Sequence, residues 1–242
     1  MWITFFAFIM GAVPVQEGLE SSFLVDVRPG LSEGPKVVVV PTPGMTREAT
    51  LTWELYLEEE GFDVWYLDLK SEIDTEQAWV EGIQRIDTVF QDSDYHVLAH
   101  GYGARFVAQA NPAARSLVLV GAPLGPQLNP TVASVPSEEV VVDALPWPSA
   151  LLGPLPMRPY SAKLARAYVD IGRRSAVLDP QAPVVLLASG GDVVAPPECV
   201  RLPTQTWTDR LFVRLDGFSF SQKLHGELLT DPGVLRQIRK SL

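Results

Sequence analysis

Strand-like and helix-like segments alternate along most of this chain. Residues 37–40 form a run of four valines between Pro35 and Pro41, which is typical of a strand that is buried on both faces. Residues 46–60, which Gly61 follows, mix apolar side chains with acidic ones and predict a helix. Such alternation predicts an α/β fold, with a mostly parallel sheet and helices on both of its faces.

The same pattern continues to the C-terminal end. Residues 75–90 predict a helix because large apolar side chains recur there at helical spacing. On the same grounds we expect strands at 63–69, 95–99, 116–121, 183–188 and 211–215, and helices at 104–110 and 231–241. Residues 17–242 are therefore expected to form one domain.

Two segments depart from this rhythm. Residues 123–179 are rich in proline and contain one segment, 161–174, that predicts a helix. Residues 1–16 are almost wholly apolar, but they fall short of the about 20 residues that a membrane-spanning helix needs. They have the length of a secretory hydrophobic region, yet no basic residue precedes them and no A-x-A site follows. Two interpretations stay open: a signal or anchor, with export or membrane association, or a segment that docks on the domain of a cytoplasmic protein or on a membrane.

Composition narrows the function classes. The 242 residues carry a net charge of −10 and give a pI of about 4.8, so the chain repels phosphate backbones and nucleic acid is not expected as a partner. Cys199 is the single cysteine. It can form no internal disulfide and belongs to no zinc pattern, and we expect neither a metal nor a cofactor.

Three short motifs follow predicted strands. The first is Ala99-His100-Gly101-Tyr102-Gly103, where small residues allow a strand to turn sharply into a helix. It lacks the lysine and the longer glycine spacing of a phosphate-binding loop. The second is Gly190-Gly191-Asp192, which also suits an aspartate that caps a turn. The third contains His225, the one histidine after the last predicted strand; the alternative there is a surface histidine.

In this order, the motifs resemble the α/β-hydrolase family over residues 35–242. The resemblance implies that Gly101 stands at the nucleophile position of the family's G-x-S-x-G turn, that Asp192 is the triad acid and that His225 is the general base. It also implies backbone donors to an oxyanion at Tyr102 and at Met45. If the loop is aligned differently, the second donor falls on Pro43, which has no N–H. Residues 123–179 fall where the family carries a cap.

The missing nucleophile decides what function we expect. Gly101 has no hydroxyl or thiol to attack a carbonyl, so the first hypothesis is a non-catalytic binding or scaffold protein. The alternatives are an enzyme that uses the His225–Asp192 pair without serine, such as a lyase, an oxygenase or a water-activating hydrolase, and an inactivated esterase or lipase. A small apolar ligand or a protein partner fits these hypotheses, with membrane contact through residues 1–16.

Overall fold

The computed structural model describes a large part of the chain. The described residues are 25–28, 33–69, 75–90, 94–126, 141–142, 160–161, 167–168, 170–171, 174, 180–215 and 224–242. The N-terminal segment 1–16 and most of the proline-rich insertion lie outside them.

A twisted α/β sheet organises the described residues. Its strands are β1 (Val25–Arg28), β2 (Lys36–Val40), β3 (Asp63–Leu69), β4 (Tyr95–His100), β5 (Ser116–Val120), β8 (Val184–Ala188) and β9 (Arg210–Arg214). The order across the sheet is β1-β3-β2-β4-β5-β8-β9. Strands β2 to β9 of this sheet pair in parallel, and β1 pairs with β3 in the antiparallel sense. The predicted mostly parallel sheet is confirmed.

Helices cover both faces of the sheet. They are α1 (Leu51–Glu59), α2 (Glu76–Val89), α3 (Gly101–Ala110), α4 (Pro197–Arg201) and α5 (Pro232–Ser241), with 3-10 turns at Arg47–Ala49 and Gly226–Leu229. A small antiparallel pair, β6 (Val141–Val142) and β7 (Tyr160–Ser161), lies within the insertion. In the part of the chain that the structure describes, no helix is long and apolar enough to cross a membrane.

The valine run of β2 divides the core in two. Val38 and Val40 pack with α2 and α3 on one face, whereas Val37 and Val39 pack with α1 and α5 on the other. Side chains of a strand alternate between the faces of the sheet. All four valines are therefore fully buried, which explains a continuous apolar run in place of an alternating one.

The structure also differs from the predicted elements. The helix predicted from residue 46 begins at Leu51, because residues 47–49 form a tighter 3-10 turn. Ser161 belongs to β7 and does not begin a helix, and much of the remainder of that predicted helix lies outside the described residues. The pattern missed β1 and α4, since elements of four and five residues are too short for a periodic signal.

The close approach of α3 to the end of β2 depends on Gly103. A Cβ atom added there would lie 2.1 Å from the carbonyl oxygen of Pro41, and further backbone atoms of Pro41 and Val40 lie within 3 Å. Backbone atoms on a central strand cannot move aside easily. The small residue at this position is therefore required by packing.

We predict that Gly103→Ala lowers the free energy of unfolding by about 3 kcal/mol, because overpacking against backbone is costly. Gly61→Ala is a suitable control. Gly61 has a φ of +88° but no atom within 4 Å of an added Cβ, so its loss of about 1 kcal/mol reflects backbone conformation alone. Urea unfolding measures both variants, and equal losses would contradict the tight contact at Gly103.

Candidate active site

The three predicted motifs meet at the carboxyl edge of the sheet. Strand order reverses between β2 and β4, which are neighbours in space. Thr42 follows β2 and Gly101 follows β4, so both lie at this reversal. In open α/β sheets, ligands bind at such a point.

Gly101 lies at a sharp bend. Strand β4 ends at His100 and helix α3 begins at Gly101 without an intervening loop. The φ of Gly101 is +57°, a conformation that residues with a side chain adopt only at a cost. The structure thus places residue 101 on the strand-to-helix elbow that the motif predicts.

Asp192 and His225 form a buried pair. His225 Nδ1 lies 2.8 Å from Asp192 Oδ2, and both side chains are almost inaccessible to solvent. Asp192 Oδ1 accepts hydrogen bonds from the backbone N–H groups of Val194 and Ala195, each at 2.9 Å. The carboxylate therefore caps its own turn and also holds the imidazole.

The orientation of the imidazole follows from this bond. A carboxylate only accepts hydrogen bonds, so Nδ1 of His225 carries a proton, and in the tautomer with one ring proton the lone pair lies on Nε2. Nε2 lies 2.9 Å from the point that a Cβ on Gly101 would occupy. The structure thus brings Gly101, Asp192 and His225 together in the spatial order that the motifs imply.

Thr42 is a residue of the candidate site that the sequence did not reveal. Its hydroxyl accepts a hydrogen bond from the Tyr102 N–H at 3.2 Å and donates to the His100 carbonyl at 3.2 Å. Its own carbonyl accepts from the Met45 N–H at 3.0 Å, which closes a turn through Pro43 and Gly44. Both backbone N–H groups predicted as oxyanion donors, those of Met45 and Tyr102, therefore bind Thr42. The only sequence signal for Thr42 is a hydroxyl residue just after the first parallel strand.

His100 contacts the backbone of His225. Its Nε2 lies 3.1 Å from the His225 carbonyl oxygen, which can only accept, so Nε2 is protonated. Burial, and secondarily the nearby His225, hold the pKa of His100 well below the ordinary value of 6.5. The ring is therefore neutral, and its Nδ1 has no hydrogen-bond partner among the described residues.

Comparison with solved structures identifies the architecture. A monoacylglycerol lipase from Paleococcus ferrophilus superposes with a TM-score of 0.60 at 18% identity, over 90% of this chain and 96% of the lipase. The chain has the α/β-hydrolase fold. A lipase-esterase related protein from Clostridium acetobutylicum gives a TM-score of 0.68 at 13% identity, over 90% of this chain and 99% of that one. Est1E from Butyrivibrio proteoclasticus, in a structure with ferulic acid bound, gives 0.57 at 16% identity, over 90% and 95%. No protein-family model matches this chain, and no curated protein matches it in sequence.

Gly121 is a second residue of the site that sequence reasoning missed. It follows β5 directly and has a φ of +57°. A Cβ at this position would lie 2.8 Å from Asp192 Oδ2 and 3.2 Å from His225 Cε1. A side chain here would collide with the acid–base pair. A glycine immediately after a buried strand was the available signal.

Tyr168, from the insertion, holds the turn at Pro43 in place. Its hydroxyl donates to the Pro43 carbonyl, and its own carbonyl accepts from the Tyr102 hydroxyl at 3.0 Å. The Tyr168 ring also lies 4.5 Å from the ring of Tyr102. Among the described residues, no group of His, Cys, Asp and Glu side chains could hold a metal ion.

The low pKa of His100 predicts how stability depends on pH. The unfolded chain binds a proton at His100 near pH 6.5, while the folded chain does not, so the free energy of unfolding falls as the pH drops below that value. We expect His100→Gln to flatten this dependence, because a glutamine amide donates to the His225 carbonyl but does not titrate. Urea unfolding at several pH values between 7 and 5 measures the slope. The pKa of His96 is also lowered, mainly by burial, and its contribution remains in both proteins. An unchanged slope in His100→Gln would contradict this assignment.

Proposed function

We propose that this chain is a non-catalytic protein with the α/β-hydrolase fold of esterases and lipases, acting by binding or as a scaffold. One observation carries the proposal. The lone-pair nitrogen of His225 faces residue 101 at the elbow, and residue 101 is a glycine. The base has no attacking group to deprotonate at this position.

The cysteine does not replace the missing nucleophile. Cys199 lies on α4 and its thiol donates to the Gly125 carbonyl at 2.9 Å. Burial raises the pKa of this thiol to about 11, so it is protonated at neutral pH and unreactive. Its position and its protonation state both argue against covalent catalysis at Cys199.

In this proposal, the acid–base pair persists as a structural link. Asp192 follows β8, and His225 precedes the 3-10 turn that leads to α5. Their hydrogen bond joins the two segments, and His100 binds the His225 carbonyl from the end of β4. Three chain segments are thus held together at one edge of the sheet.

We predict that the purified protein does not hydrolyse p-nitrophenyl acetate, p-nitrophenyl butyrate or a monoacylglycerol. Loss of a triad nucleophile slows turnover by roughly 10⁶-fold. A fluorophosphonate probe should leave the protein mass unchanged, whereas an active esterase in the same buffer becomes labelled. Stoichiometric labelling, or turnover that survives repurification, would refute the proposal.

The second candidate is an enzyme in which the His225–Asp192 pair acts on a substrate proton or on water. The hydrogen bond at 2.8 Å favours it, since it fixes the tautomer that leaves Nε2 as the base. However, Thr42 Oγ1 lies only 2.3 Å from the Cβ position of residue 101. A water oxygen at that point would be closer to Thr42 than a hydrogen bond allows. This contact argues against a water molecule at the Cβ position of residue 101.

A structural role for the pair predicts a large effect on stability. We expect His225→Ala to lower the free energy of unfolding by about 3 kcal/mol, because Asp192 loses a buried partner. His225→Asn should lose less, since its side-chain amide can donate to Asp192 from the position of Nδ1. Thermal and urea unfolding compare the two variants. If His225→Ala is as stable as the parent protein, the pair is not a structural link.

A further inference from the structure

The space of the missing side chain at residue 101 is filled from two sides. A Cβ added to Gly101 would lie 2.3 Å from Thr42 Oγ1 and 2.9 Å from His225 Nε2, whereas ordinary contacts begin near 3.4 Å. Thr42 and His225 are both about 2% exposed. Neighbouring side chains therefore leave no room for a side chain at residue 101.

Thr42 also binds the two backbone N–H groups that were predicted as oxyanion donors. Its hydroxyl oxygen accepts the N–H of Tyr102, the residue after the nucleophile position. Its carbonyl accepts the N–H of Met45. These two N–H groups are the donors that an oxyanion would need, and one residue binds both.

We propose that Thr42 is an internal plug, whose hydroxyl closes the candidate active site independently of the substitution at Gly101. This inference rests on the proposed non-catalytic function and deepens it. Two features close the site: residue 101 is a glycine without a nucleophile, and the Thr42 hydroxyl lies against the side-chain position of residue 101 and binds the Tyr102 N–H. Restoring serine at residue 101 alone is then insufficient.

The hydrogen bonds of Thr42 argue against its being a substitute nucleophile. Its hydroxyl proton points to the His100 carbonyl and not to His225. Its oxygen also engages the Tyr102 N–H, so an oxyanion formed by attack from Thr42 would compete with Thr42 for that donor. The geometry is that of a satisfied buried hydroxyl.

The test compares Gly101→Ser, Thr42→Ala and the double variant G101S/T42A with the parent protein. A fluorophosphonate probe reports the site directly. The introduced serine oxygen attacks phosphorus, fluoride leaves, and the serine proton passes to His225 Nε2. Intact-mass and peptide-mass spectrometry give the rate and the position of the adduct.

We expect the double variant to be labelled at residue 101 at least about 100-fold faster than G101S, the effect of freeing one oxyanion donor. The matched control is G101S/T42S, which keeps the hydroxyl and should label as slowly as G101S. Measurable labelling of G101S and G101S/T42A at equal rates would overturn the plug, although the proposed function would stand. Labelling of the parent protein, at Thr42 or elsewhere, would instead refute the proposed function.

Thermal unfolding supplies a readout that does not depend on chemistry. The introduced serine collides with the Thr42 hydroxyl, so G101S should lower Tm by about 2–4 °C more in the parent background than in the T42A background. If the double variant is unlabelled but this coupling is present, the plug is supported as a steric element. Equal Tm losses on introduction of serine in the two backgrounds would overturn it.

Discussion

The close contact between the start of α3 and the chain that leaves β2 determines the geometry of the site. Gly103 touches the Pro41 carbonyl so closely that no side chain fits between them. Two residues before this contact, the chain bends at Gly101 with a positive φ. His225 Nε2 lies 2.9 Å from the position that a Cβ on residue 101 would take. The positions of Thr42 and Tyr102 follow from the same approach, because each flanks one side of the contact.

The hydrogen bonds of the Asp192–His225 pair lie within the protein. Asp192 accepts three hydrogen bonds, two from its own turn and one from His225. Such a carboxylate is well satisfied without any substrate, and removal of a partner leaves a buried charge. Breaking a pair of this kind is costly whether or not a nucleophile is present. The pair beside Gly101 is therefore consistent with a role in holding loops together.

The similarity to lipases and esterases shows the fold of this chain. Its chemistry has to be inferred from the residues of the site. The neighbours share the fold at 13–18% identity, and a fold hosts many functions. In this chain the distinguishing features are local. Residue 101 at the elbow is a glycine, and Thr42 binds the N–H groups of Tyr102 and Met45. Non-catalytic function is proposed from these contacts and not from the fold.

The sequence by itself determined the α/β architecture, because alternation of buried valine-rich strands with periodic helices depends on local spacing. It also predicted Gly101, Asp192 and His225 as site residues from short motifs after predicted strands, and the structure brings these three residues together. Short elements without a period, such as β1, could not be predicted in this way.

Only the tertiary structure revealed the roles of Thr42 and Gly121. Thr42 is 59 residues from Gly101, and Gly121 is 71 residues from Asp192; nothing in the local pattern of either residue indicates the other. Parallel strands bring their carboxyl ends to one edge, and the identity of the side chains that meet there depends on strand order. Thr42 and His225 lie within a few ångströms of the side-chain position of Gly101, although they belong to distant segments of the chain. Such short distances between distant segments are set by tertiary packing.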